Sequence, residues 1–150
     1  MTRAKAHVRF FASAIIVALV AIVGFDVVSR VVVADKALRL AFSETLRVLG
    51  AQPVDTLVLF LPFAAVGVLA AETTKASRMV PAVTLFALSV AALWWLYFSG
   101  FMGGQHALLE RKWTAAALSV GLLPFTSIPI VFVAALVAGF VAWRYRAPKT

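Results

Sequence analysis

The chain has 150 residues, 63% of them hydrophobic and only 13% charged, with a mean hydropathy of +1.00 and a net charge of +8 at pH 7. Soluble domains are about half apolar and a quarter charged, so a water-soluble fold of this length could not hide so much apolar surface. Cysteine is absent, which excludes thiol–disulfide exchange, iron–sulfur clusters and thiolate metal sites.

Four apolar stretches, near Phe10–Phe25, Thr56–Ala71, Pro81–Phe101 and Ala115–Val141, carry no ionisable residue near their middles. A spanning helix needs about 20 apolar residues, whereas a membrane β-barrel would show alternating strands of about 10. The pattern predicts an all-α integral membrane protein. Residues 1–150 form one transmembrane domain, a four-transmembrane-helix bundle with spans near 9–28, 54–72, 80–102 and 114–143. An amphipathic interfacial helix is expected between spans 1 and 2.

The first stretch follows Arg3, Lys5 and Arg9, as a secretory signal would. After Phe25, however, the sequence continues Asp26-Val-Val-Ser-Arg30 with no small-x-small cleavage site, which predicts a retained span. Asp26 lies at the far end of that span. Arg30 is four residues later on the same helix face, in the favourable acid-first order, and the two are expected to neutralise each other.

The connection that follows, about Val27–Pro53, is the least loop-like. Leu38, Phe42, Leu46 and Leu49 recur at helical spacing, while Lys36, Arg39, Ser43 and Arg47 line another face. That predicts a helix ended by Gly50 and prevented from continuing by Pro53. Lying flat in the outer interface is the plain expectation; covering a site or docking on a partner is the functional one.

Asp55 opens the second span, where it favours the positive helix end, and Pro62 interrupts that span. Pro81 suits the first turn of the third. Trp94, Trp95, Tyr97 and Phe98 are expected in an outer aromatic belt. Gly100, Gly103 and Gly104 should then end or loosen the helix. His106 and Glu110 share a helical face at i, i+4 just before Arg111 and Lys112, a pair able to bind a metal or move protons, although a solvated face is the simpler reading. Trp113 and Trp143 stand about 45 Å apart along a helix, which suggests one long fourth span. Pro124 and Pro129 kink it, or serve as a hinge, with Thr126 and Ser127 satisfying the freed carbonyls.

Small-residue pairs (Ala14/Ala18, Gly67/Ala71, Ala87/Ala91 and Ala135/Gly139) mark the expected helix contact faces. Four spans put both termini on one side. Eight basic residues (Arg3, Lys5, Arg9, Lys75, Arg78, Arg144, Arg146 and Lys149) accompany a single acid there, Glu72. Six basic and five acidic residues fall on the other side. The positive-inside rule then places the termini in the cytoplasm, as expected of a bacterial inner-membrane protein.

No phosphate-binding loop, dinucleotide fingerprint, serine elbow or zinc helix is present, and no cofactor is expected. A basic face of this kind suits the anionic cytoplasmic leaflet rather than nucleic acid. The remaining candidates share one address. Asp26, Arg30, Asp55, His106, Glu110 and Arg111 fall at the outer ends of the spans and would form a polar rim over an apolar groove, a ligand-binding arrangement suited to an amphipathic molecule. Three functions follow: a non-catalytic subunit of a larger membrane assembly, with other membrane subunits or its own copies as partners; a small carrier or flippase for a lipid or amphipathic solute; and a membrane enzyme acting on lipid, with His106 and Glu110 as acid and base. The lack of midspan charge argues against proton-coupled transport.

Overall fold

A computed structural model describes residues 3–76 and 79–145, with side chains for 7–74 and 79–145. Of the basic residues assigned to the termini face, Arg78, Arg146 and Lys149 lie outside the described residues, as do the side chains of Arg3, Lys5 and Lys75. The chain forms α1 (Arg3–Val32), α2 (Leu38–Ala51), α3 (Pro53–Ala76), α4 (Met79–Leu109), α5 (Trp113–Gly121), α6 (Leu123–Thr126) and α7 (Ile128–Arg144). Four helical segments are long and apolar enough to cross a membrane: His7–Val32, Pro53–Thr74, Met79–Leu109 and Leu123–Arg144.

α3 and α4 form the centre, and α1 and α7 pack on opposite flanks of that pair. Prolines begin the central helices without cost, Pro53 opening α3 and Pro81 lying in the first turn of α4, where an amide would have no partner anyway. The main core joins Ala18, Ala21 and Ile22 of α1 to Phe63 and Val66 of α3 and to Leu93 and Tyr97 of α4. Phe63 and Tyr97 meet edge to face with centroids 5.1 Å apart.

Two of the expected small-residue faces are real contacts. A Cβ on Gly67 would lie 2.8 Å from Ala14 Cβ and 3.0 Å from the Phe10 carbonyl oxygen, so the α1 and α3 backbones approach through that glycine. The other two pairs are displaced. Ala87, Ala91, Ala135 and Gly139 face outward, while Ala82, Leu85 and Ser89 of α4 and Ala134 and Ala138 of α7 are buried instead. In so alanine-rich a chain, small spacing alone does not fix the phase of the buried face.

The glycines also act differently from expectation. α4 runs unbroken through Gly100, Gly103 and Gly104 to Leu109, 31 residues or about 46 Å of helix. A Cβ at Gly100 would lie 2.5 Å from Leu123 Cδ2 and 3.0 Å from the Ser119 carbonyl oxygen. Gly100 therefore lets α4 pack closely on the returning chain. Gly50 likewise lies inside α2, which stops at Gln52. The described non-glycine residues with positive φ are Asp35 and Arg111, each in a turn after a long helix, and no described glycine has positive φ.

Tyr97 is fully buried rather than part of a belt, its hydroxyl donating to the Leu59 carbonyl at 2.8 Å. The single fourth helix expected from Trp113 to Trp143 is three segments, interrupted at Leu122 and Ser127. Each interruption lies two residues before a proline. Pro124 and Pro129 withhold the amides that would serve the Val120 and Phe125 carbonyls; the Leu122 amide donates to the Leu118 carbonyl, and the Ser127 amide to that of Leu123. The Thr126 and Ser127 hydroxyls donate to Leu122, Leu123 and Pro124 carbonyls.

Candidate functional site

At the end of the bundle where α1 finishes and α3 begins, a cavity of about 680 Å3 opens between α3, the last turns of α4 and α5, with α2 along its edge. Its origin is the broken fourth helix. α6 and α7 pack on α3, whereas α5 lies along α4. The interruption before Pro124 thus carries α5 aside, and Pro124 itself lines the space.

One wall is charged. Asp26 is buried at 8% exposure, and burial of a carboxylate is tolerable only when it is paired. Its Oδ2 accepts from Arg30 Nε at 2.8 Å and from the Thr45 hydroxyl at 2.6 Å. Arg30 Nη1 continues to Glu44 Oε2 at 3.0 Å, and Lys36 Nζ donates to the same oxygen. The Lys36 hydrogen bond, helped by the Lys36 and Arg30 charges, holds the Glu44 carboxyl below its usual range. Two acids and two bases thus fasten α2 to the end of α1. α2 turns Ala41 and Thr45 toward α1 and leaves Leu38, Phe42 and Leu46 exposed, so most of the apolar stripe read from the sequence does not enter the bundle.

The α2–α3 junction is tight. Gln52 alone separates the two helices, and the Thr56 hydroxyl reaches back to the Leu49 and Gln52 carbonyls at 3.1 and 2.8 Å. Asp55, in the first turn of α3, is exposed at the cavity mouth.

Of the six predicted rim residues, the structure brings Asp26, Arg30 and Asp55 to the cavity and leaves the other three outside it. His106 and Glu110 are exposed, and Glu110 pairs with Lys112 at 2.7 Å. The Lys112 hydrogen bond lowers the Glu110 pKa, and Glu110 raises that of Lys112 in turn. Arg111 is a turn residue. Its φ of 59°, with Arg111 N–H bonded to the Leu108 carbonyl and Lys112 N–H to that of Ala107, forms a Schellman motif closing α4. Among the described residues, no group of three or more His, Cys, Asp or Glu could hold a metal ion.

Sequence reasoning missed Thr45 and Glu44, which complete the Asp26–Arg30 cluster, and Gln105, which lines the cavity at 8% exposure. Gln105 had a readable cue: it lies four residues after Phe101 and one after Gly104, all three on the buried side of α4. At the opposite end of the bundle, His7 Nε2 lies 3.0 Å from Glu72 Oε1, beside a smaller cavity of about 280 Å3 lined by Val8, Phe11, Val68 and Ala71.

Compared with protein-family models, curated proteins and solved structures, the chain matches none. The functional reading therefore rests on the cavity.

Proposed function

We propose that this chain is an inner-membrane protein whose own site is the cavity beside α5, and that it binds an amphipathic molecule there as a small carrier or lipid-binding component. The observation that carries this reading is the cavity's division. Asp26, Arg30, Asp55 and Gln105 supply polar contacts, and Leu59, Phe101, Leu108 and Phe125 supply an apolar surface. Ligand cavities of this size, mostly apolar with a few placed polar groups, are the usual form of a small-molecule site. In this reading the four long apolar helical segments cross the bilayer, with the termini cytoplasmic on the strength of their basic excess. α2 rests in the outer interface on its exposed apolar side chains.

A second reading, a non-catalytic subunit of a larger membrane assembly, draws on α7. That helix buries Ala134 and Ala138 against its own chain and presents Phe132, Leu136 and Phe140 outward, a face open to lipid or to another helix. Catalysis by His106 and Glu110 is less well supported, because neither lines the cavity and Glu110 is committed to Lys112.

Native mass spectrometry after purification in mild detergent tests the first reading. One amphiphile should remain bound per chain, and Ala117→Trp, which fills the cavity from α5, should release it, while Ala135→Trp on the outward face of α7 should not. Retention of the same molecule by Ala117→Trp would sink the cavity as the site.

A further inference from the structure

Taking the cavity as an amphiphile site, as above, we propose that its occupant is a cationic amphiphile, a protonated or quaternary amine carried on an apolar body. The argument is a comparison of what the lining groups have already spent. Arg30 is the one cation among the lining residues, and two carboxylates hold it, Asp26 on Nε and Glu44 on Nη1. Acceptors, in contrast, are left over. Asp26 receives both of its bonds on Oδ2, so Oδ1 is uncommitted. Asp55 has no ion-pair partner among the described residues and stands at the mouth. Gln105, more than nine-tenths buried and lining the cavity, makes no side-chain hydrogen bond within the described residues, so its carbonyl oxygen is unspent along with its NH2 group.

The backbone adds to the same side. Pro62 lies inside α3 and cannot supply the amide that would serve the Val58 carbonyl, just as Pro124 cannot serve that of Val120. Val58 and Val120 both line the cavity. Trp113 and Phe101 contribute aromatic side chains to the lining, and an aromatic ring attracts a cation over its face.

An anionic head would meet Asp55 and Asp26, and the Arg30 charge that could answer it is already shared between Asp26 and Glu44. A neutral head would leave the Asp55 charge facing a partly dehydrated space, which is unfavourable. A cationic head answers both carboxylates, while its apolar body takes the Leu59–Leu108–Phe125 side.

The test is equilibrium dialysis of three probes sharing one chain, dodecyltrimethylammonium, dodecanol and dodecanoate, against the protein in phosphatidylglycerol nanodiscs, whose headgroup carries no amine, with empty nanodiscs subtracted. The ammonium probe should bind saturably and most tightly. Asp55→Asn should weaken it about fivefold, the worth of one partly exposed ion pair, and Asp55→Glu should restore it. Dodecanol binding by Asp55→Asn no weaker than by the wild type shows that the variant is folded and its cavity intact. Equal binding of all three probes, indifferent to Asp55→Asn, would overturn the cationic assignment and leave the amphiphile cavity standing. No saturable binding of any probe would remove both. Adding phosphatidylcholine or phosphatidylethanolamine to the nanodiscs separates the sources of the amine: competition with the ammonium probe by either lipid identifies a lipid headgroup, and its absence a free amphiphile.

Discussion

The Thr45 hydroxyl donates to Asp26 Oδ2 at 2.6 Å, joining the middle of α2 to the last turns of α1 across 19 residues of sequence. Thr45 is fully buried, so this bond forms where water does not compete for it. Thr45→Val keeps the shape and deletes the donor, and should cost about 1–2 kcal/mol. Asp26→Leu goes further, stranding Arg30 with only Glu44, and should cost about 3–5 kcal/mol. Thermal unfolding of both variants in one detergent decides the matter; equal costs would show that Arg30 does not depend on Asp26.

Gly67 is where α1 and α3 come closest, and the atoms in the way of a side chain are the Ala14 Cβ and the Phe10 backbone. Neither can rotate aside. Gly67→Val should therefore force the helices apart and lose about 1–3 kcal/mol. Gly139→Val is the control, since nothing lies within 4 Å of a Cβ there, and its midpoint by circular dichroism should stay near wild type.

Acid should release α2. Because Lys36 and Arg30 hold the folded Glu44 pKa below 4.5, the group's contribution is present in full above that value and is lost as the pH falls through the lower, folded one. Spin labels at Arg47 and Val28 should report an unchanged α1–α2 separation from neutral pH down to about 4.5, then broadening below it. Broadening that begins well above 4.5 would contradict the Glu44 tether.

Arg111 occupies a left-handed conformation, φ 59°, which costs an L-residue about 1 kcal/mol and glycine almost nothing. Arg111→Gly should raise the unfolding midpoint or leave it unchanged, and should not alter amphiphile retention, since Arg111 does not line the cavity. A loss of bound amphiphile would restore Arg111 to the site.

The sequence makes part of this architecture legible and hides the rest for identifiable reasons. Length and hydropathy suffice for four helical segments fit to cross a membrane, because an apolar run of that length has few other stable forms. The Asp26–Arg30 pair follows from helical spacing alone. Glu44 and Thr45 do not, since they arrive from another helix whose docking face is set by Ala41 rather than by the conspicuous leucines. Tyr97 reads as an interface residue because its hydroxyl suggests water, yet the Leu59 carbonyl satisfies it inside the core. The glycines near residue 100 read as breakers, because the sequence does not say that α5 will fold back against them. Gln105 is hidden by the same omission.

α2 and the start of α3 are joined by Gln52 and laced by Thr56, while the far side of α2 is locked to α1 through Asp26 and Arg30. The segment is thus a bracket and not a flap: lifting it would break an ion-pair cluster at one edge and a hydrogen-bonded elbow at the other. α5 carries no such fastening to α3, and Trp113 and Ala117 on its cavity side are exposed. The α5 side of the cavity is therefore the one that costs fewest bonds to widen.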